Sequence, residues 1–316
     1  MSIATKDIRN VVFLGHSGSG KTTFIETMLF ESGIIPRRGS VEAHNTISDF
    51  TDLERERENT IYSHLMHAKW HNNKINIIDT PGFDDFIGEV VSSLKVSDTA
   101  LILLNAASGV EVGTEIVWEY VQNYQTPALF VINQMDHPKA DYDTTLEQAK
   151  NRFGNKVIPI QYPYNSGEKF NSIIDVLRMT MYVFPENGGK PEKMPIPTSE
   201  LEKANALHNA LVEAAAENEE GLMEKYFEKG NLDEEELAKG LTIALAHQQI
   251  YPVFCASGLK DMGSGRIMGF IDDIAPSPAD RPAKKLENGA ELTCDASDKT
   301  TMFIYKTLSE PQVGMV

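Results

Sequence analysis

Short apolar runs alternate with stretches of helical period along most of this chain. Val11–Leu14, Leu101–Asn105, Leu129–Asn133 and Tyr251–Cys255 are near-continuous apolar segments of strand length, the pattern of buried strands. Met66–Trp70 and Ile75–Asp79 flank His71-Asn72-Asn73-Lys74 and predict a hairpin. Thr22–Ser32 places Phe24, Ile25, Met28 and Leu29 on one helical face and closes at Gly33. Asp84–Lys95, Gly113–Asn123 and Ala140–Arg152 read as further helices. Strands alternating with helices predict an α/β fold built on a doubly wound, mostly parallel sheet.

One interval breaks the rhythm. From about 158 to 250 the chain carries a Pro/Gly-rich loop, Phe184–Pro197, and then an acidic helical block, Glu200–Ala246. This predicts an α+β subdomain inserted into the sheet domain. After Pro276-Ser277-Pro278 the pattern changes again. Glu291–Leu308 alternates as strands do, and the chain stops at Val316 in a loop-like stretch, as a piece ending early in a second, β-rich domain would.

Composition narrows the possibilities. With 316 residues, 41% of them apolar and 24% charged, the chain reads as an ordinary soluble globular protein whose core needs no disulfide or metal. Cys255 and Cys294 imply no disulfide framework and fit a reducing cytosol. Val11–Leu14 is too short for a signal peptide and no run approaches a membrane span, so a cytoplasmic monomer without a membrane partner is expected. The net charge of −17 argues against a general nucleic-acid clamp. Glu200–Gly240 holds twelve acidic and four basic residues, −8 of that −17. It reads as a solvated helical face or, more sharply, as a docking surface for a basic partner.

Four strand ends carry the chemistry. Gly15-His16-Ser17-Gly18-Ser19-Gly20-Lys21-Thr22, followed by Thr23, matches G-x-x-x-x-G-K-[ST] between a predicted strand and a predicted helix. Its glycines let backbone N–H groups turn in around phosphates, and the helix N-terminus adds positive potential. Lys21 would reach the β- and γ-phosphates and Thr22 would ligate Mg²⁺. Asp79-Thr80-Pro81-Gly82 ends the strand Ile75–Ile78; Asp79 can hold Mg²⁺ and the Gly82 amide can meet a γ-phosphate. Asn133-Gln134-Met135-Asp136 resembles the base-recognition motif N-K-x-D, with Gln134 in place of Lys. Asp136 can accept from the ring N–H and exocyclic amine of guanine, a donor pair adenine lacks. Asn133 would tie this loop to the phosphate loop. Cys255-Ala256-Ser257-Gly258-Leu259 can supply a backbone N–H to the guanine oxygen.

With these motifs in place, the chain resembles elongation factor G and, more closely, its elongation factor G-like paralogues. The matching strings are GHSGSGKTTFIE, GSVEAHNTISDF, INIIDTPGFDDF, LVEAAAENEEGLMEKYFE, YPVFCASGLKDMG and PSPAD, which run in order along essentially the whole chain. The resemblance implies a P-loop GTPase domain over 1–282, the inserted subdomain at about 158–250, and the start of a β-barrel domain over 283–316. It implies GTP, GDP and Mg²⁺ as ligands and the ribosome, its RNA and its stalk proteins, as partner. Thr60 falls where the family's first switch places a Mg²⁺-binding threonine.

Four departures stand out within that resemblance. Glu58-Asn59 replaces the family's Gly-Ile before Thr60, and a family aspartate in the phosphate loop is Gly18. The base-motif Lys is Gln134. The histidine that follows D-T-P-G and positions the attacking water is Phe83, as it tends to be an aromatic in the paralogues. A translocation-type factor with weakened hydrolysis is the expectation. A module that binds GTP without hydrolysing it, or a ribosome-protection or release-factor type GTPase, stays open. His64, His67 and His71 suggest a metal cluster by spacing, but residues 64 and 67 of a strand face opposite sides, so none is expected. Asp84 and Asp85 read as acidic residues in a first helical turn rather than a catalytic pair.

Overall fold

The fold was read from a computed structural model that describes residues 3–286, 289–295, 297–310 and 314–315. In chain order, β1 (Ile8–Leu14) leads through the phosphate loop into α1 (Lys21–Glu31), and a long excursion containing α2 (Asp52–Arg57) follows. The hairpin β2 (His64–Trp70) and β3 (Asn73–Asp79) comes next, then α3 (Ile87–Lys95), β4 (Thr99–Asn105), α4 (Val112–Asn123), β5 (Ala128–Asn133) and α5 (Tyr142–Phe153). Short strands β6 (Val157–Pro159), β7 (Gln161–Pro163), β8 (Ser172–Asp175), β9 (Thr180–Val183) and β10 (Glu192–Met194) precede three helices, α6 (Leu201–Ala216), α7 (Glu220–Lys229) and α8 (Glu234–Ala246). The chain then returns through β11 (Tyr251–Cys255) and α9 (Ser264–Ile274).

Seven strands form one sheet in the order β2-β3-β1-β4-β5-β11-β6. Only β2 runs antiparallel, held to β3 by full register from His64↔Asp79 to Trp70↔Asn73. The alternation along each central strand feeds two cores. Val11 and Phe13, Leu101 and Leu103, and Leu129 and Val131 face α1, α9 and the α6–α8 block. Val12 and Leu14, Ile102 and Leu104, and Phe130 and Ile132 face α3, α4 and α5. Strands buried on both faces have no polar side to show, hence their unbroken apolar runs.

β1 lies between β3 and β4, so the winding reverses there and the loop after it opens into the crevice at the carboxyl ends of the strands. All four sequence motifs emerge at that edge.

The interval from 158 to 250 divides. β6 pairs in parallel with β11, as an edge strand of the main sheet. β7–β10 form a separate antiparallel sheet. The α6–α8 block packs through Leu211, Ala215, Leu241 and Ala244 into the same core as α1 and α9. Two readings need correction. Asp84–Lys95 is a 3₁₀ turn, Asp84–Phe86, followed by α3, because Phe86 sits at φ −106°, ψ 20°, off helical values. Among the described residues of Glu291–Leu308, only Glu291–Leu292 pairs as a strand, with Lys284–Lys285. A strand needs a neighbour to close its ladder, and no described residue runs beside Met302, Phe303 and Ile304, which stand exposed.

Candidate functional site

The phosphate loop is built from backbone. Gly20 adopts φ +87° at the mouth of α1, and a Cβ there would stand 2.6 Å from Asn133 Nδ2, so only glycine fits. Lys21 is buried; its Nζ donates to the carbonyls of Gly15 at 2.9 Å and His16 at 3.1 Å. Burial lowers its pKa to about 8, with Asp79 opposing the fall. Ser17 is half-buried and its backbone abuts Gly82. Thr23 is half-buried in the first turn of α1.

The base-side loops are tied to this loop side chain by side chain. Asn133 Nδ2 donates to Ser19 O at 2.9 Å, and Gly258 N–H donates to Asn133 Oδ1 at 3.0 Å. Gln134, in a left-handed conformation at φ 62°, donates from Nε2 to Gly18 O at 2.8 Å. Met135 is buried, and its N–H donates to Ala256 O at 3.1 Å, locking the two loops together. Asp136 projects half-exposed, with no hydrogen bond or ion pair to any described residue. In Ala256–Lys260, the N–H groups of Ala256, Ser257, Gly258 and Lys260 all have acceptors. Leu259 has none among the described residues, so its N–H is the group free to meet a ligand oxygen.

A third cluster gathers oxygen. Thr22 Oγ1 donates to Asp79 Oδ2 at 2.9 Å and lies 3.1 Å from Thr60 Oγ1. Asp79 is fully buried, and its Oδ1, like both oxygens of the buried Asp49, meets no donor in bonding geometry among the described residues. Burial, then the Asp79 charge, pushes Asp49 up to about 6; burial likewise raises Asp79. Orphaned buried carboxylate oxygens beside two hydroxyls are the donor set a hard divalent cation takes, so the residues fit Mg²⁺. Thr22, Thr60, Asp79 and Asp49 would hold it, directly or through water. When bound it neutralises phosphate charge.

Residues 6–277 match the family described as the elongation factor Tu GTP binding domain. The chain belongs to that family. Elongation factor G of Mycoplasma genitalium is 33% identical over 320 residues, covering 99% of this chain and 46% of that protein. A solved structure from Thermus thermophilus superposes with a TM-score of 0.85 at 29% identity, covering 98% of this chain and 44% of that one. The chain thus spans less than half the length of these two relatives. It is a GTP-binding translational GTPase resembling elongation factor G.

This GTPase has a structural centre that sequence reading missed. Glu54 is buried and accepts five hydrogen bonds: from the N–H groups of Ile61 and Tyr62, from Thr51 N and Oγ1, and from His64 Nε2. Burial alone would raise its pKa, but His64, Thr51 and the two amides outweigh it and hold the carboxylate near 2. Five donors fill its acceptor capacity, so within the Asp49–Glu54–His64 group Glu54 and His64 form a clasp that folds the segment around Thr60, and only Asp49 keeps oxygens free for a cation. The signal was present: Thr51-Asp52-Leu53-Glu54 is a capping box, and it forms at the start of α2. His67 points away into solvent, and His71 bonds Asp272 instead.

Downstream, Lys306 reaches back to the same segment. Its Nζ donates to Ser63 O at 2.9 Å, Ser63 Oγ at 3.1 Å and Glu89 Oε2 at 2.7 Å, and lies over the Tyr62 ring. Against burial, these bonds lower the Glu89 pKa.

Two predictions arise here. Gln134→Lys keeps a donor beside Gly18 O and adds a cation over the base, an attraction of roughly 0.5–2 kcal/mol. GDP should therefore bind about 2- to 30-fold more tightly by calorimetry; an unchanged Kd would show that this position does not form the base lid. Lys21 is expected to meet phosphate as a cation, and its pKa near 8 sits below that of an ordinary lysine. The GDP Kd should be flat below pH 7 and rise toward about tenfold per pH unit above 8, with proton uptake in calorimetry at pH 8. A Kd independent of pH from 7 to 9 would contradict this.

Proposed function

We propose that this chain is the nucleotide-binding half of a GTP-switched, translocation-type factor acting on the ribosome, with weakened hydrolysis. GTP and GDP with Mg²⁺ are its ligands. In this reading residues 1–282 are the GTPase domain, 283–316 open a β-barrel, and the cell compartment is the cytoplasm. Ribosomal RNA and stalk proteins are the partners, the acidic faces of α6–α8 being the docking surface. The switching arm of the proposal is supported by the Thr22–Thr60–Asp79 contact: Thr60 belongs to a segment clasped by Glu54 and meets the cation ligands directly. A ligand holding that cation and a γ-phosphate would therefore order the whole segment.

Phe83 carries the proposal of slow turnover. It stands directly after Gly82 with 43% of its surface exposed, starting the 3₁₀ turn. A phenyl ring neither donates nor accepts a proton, and a positioned acid–base group contributes roughly 10²–10⁴ in rate. Single-turnover GTP hydrolysis by the full-length protein should be slow and weakly stimulated by ribosomes, and Phe83→His should raise it. Rapid wild-type turnover would refute the reading. If hydrolysis is undetectable in both proteins while GTP still binds, the chain uses GTP only as a conformational ligand, the second reading that Phe83 supports.

A further inference from the structure

Away from the nucleotide crevice, a cavity of about 360 Å³ opens where the β2–β3 hairpin, the end of α1, the first turns of α9 and the β9–β10 edge meet. Trp70, Tyr182 and Phe184 form its walls. Two glycines of α9 make its floor. A Cβ on Gly269 would meet nothing nearer than Arg266 Nη1 at 3.9 Å and Trp70 Nε1 at 4.0 Å. One on Gly265 would meet Glu31 Oε2 at 3.5 Å and the Trp70 ring at 3.7 Å. The space is therefore real, and it exists because both positions lack a side chain.

Its polar groups are unusual. Trp70 Nε1 is buried with no acceptor among the described residues. Lys190 and Lys193 line the mouth, and neither has a hydrogen-bond or ion-pair partner among the described residues. Arg266 spends its Nε and Nη2 on Asp175 and lies over the Tyr182 ring. Burial, then the charge of the neighbouring Asp261, lifts Glu31 to about 7. Against this carboxyl pair stand two ammonium groups without an ion-pair partner among the described residues and an unpaired indole N–H. On a chain of net charge −17, two exposed lysines free of carboxylate partners beside aromatic walls favour an anion.

We propose that this cavity is a second ligand site, binding a small planar aromatic ring that bears a carboxylate or similar anionic group. The ring would stack against Trp70 and Tyr182, and the anion would meet Lys190 and Lys193 at the mouth. A ligand there touches the base-recognition loop through the chain itself. Asp261 lies two residues after Leu259, its N–H donates to Gly258 O at 3.4 Å, and Ser257 pairs with Met262.

The test uses the GDP-saturated chain, so that the nucleotide crevice is occupied, and 2-naphthoate as the probe beside its uncharged analogue 2-naphthamide. Trp70 reports the binding by its emission, since Trp118 lies half-buried on the other core, against Phe130, Phe153 and Tyr251. Saturable quenching by naphthoate is expected at pH 6.5 with a Kd near about 1 mM, ordinary for a fragment of that size. The amide should bind about tenfold more weakly. Gly269→Leu fills the floor with a better helix former and should abolish binding; the Lys190→Glu/Lys193→Glu pair should weaken it about tenfold. Both variants should keep wild-type GDP affinity in the absence of naphthoate, which separates this site from the reading of the nucleotide crevice. Absence of saturable quenching, equal binding of the amide, or undiminished binding to Gly269→Leu would each overturn the proposal.

Discussion

Asp136→Asn should cost the chain most of its affinity for GTP and open it to xanthosine nucleotides. The loop that presents Asp136 is held from both sides: Met135 N–H on Ala256 O, and Gly167 N–H on Met135 O. The carboxylate therefore arrives pre-positioned, with no described protein donor competing for it. Guanine offers it two N–H groups, and a hydrogen bond to a charged acceptor is worth about 1.5–3 kcal/mol. Losing both amounts to about 10²–10⁴ in Kd. An Asn presents an N–H₂ where guanine has its own, leaving two donors face to face, whereas xanthine places a carbonyl there. Titration of GTP, XTP and ATP against both proteins checks this. If the variant retains wild-type GTP affinity and selectivity, Asp136 does not read the base.

Gly82→Ala should lower the preference for GTP over GDP by about 5- to 100-fold, the equivalent of the strain set out next. A Cβ at this position would stand 2.5 Å from Lys21 Nζ and 2.7 Å from both Ser17 N and Ser17 Cα. Lysine's end can swing away, but the backbone of the phosphate loop cannot. The D-T-P-G turn must then retreat, at the roughly 1–3 kcal/mol typical of overpacking. GDP has no γ-phosphate to contact that turn, so its Kd should change little. Parallel Kd measurements for GTP and GDP decide it, and an unchanged ratio would show that Gly82 is not pressed on the phosphate loop in the GTP-bound protein.

Much of the nucleotide crevice was legible because its parts are local. Each motif is a few residues at the end of an apolar run, and a buried parallel strand advertises itself by having no polar face. The rest depended on residues brought together by the fold. Asp49, Glu54 and His64 converge only after α2 turns the chain back, and α2 is six residues long, too short to show a period. β6 and β7 are three residues each and separated by one, so no alternation marks where the main sheet ends and the inserted sheet begins. The second cavity draws on Glu31, Trp70, Tyr182 and Gly269, from four elements with no spacing in common. The strand pattern of Glu291–Leu308 failed for the converse reason: alternation announces a strand that needs a neighbour, and sequence cannot say whether one is present.

Lys306 ties the region after residue 282 to the exit of the Thr60 segment. Ser63, at the exit of the Thr60 segment, donates to Glu89 of α3, and the Lys306 ammonium caps both; removing it would leave the half-buried Glu89 carboxylate without its counter-ion. Coupling free energy has no direction. If nucleotide moves the Thr60 segment, it shifts the tether at Lys306. Tension applied to that tether must, in the same measure, change how tightly nucleotide is held. A body attached beyond Lys306 could thus act as a lever on nucleotide affinity without touching the crevice, its mechanical work appearing as a change in Kd.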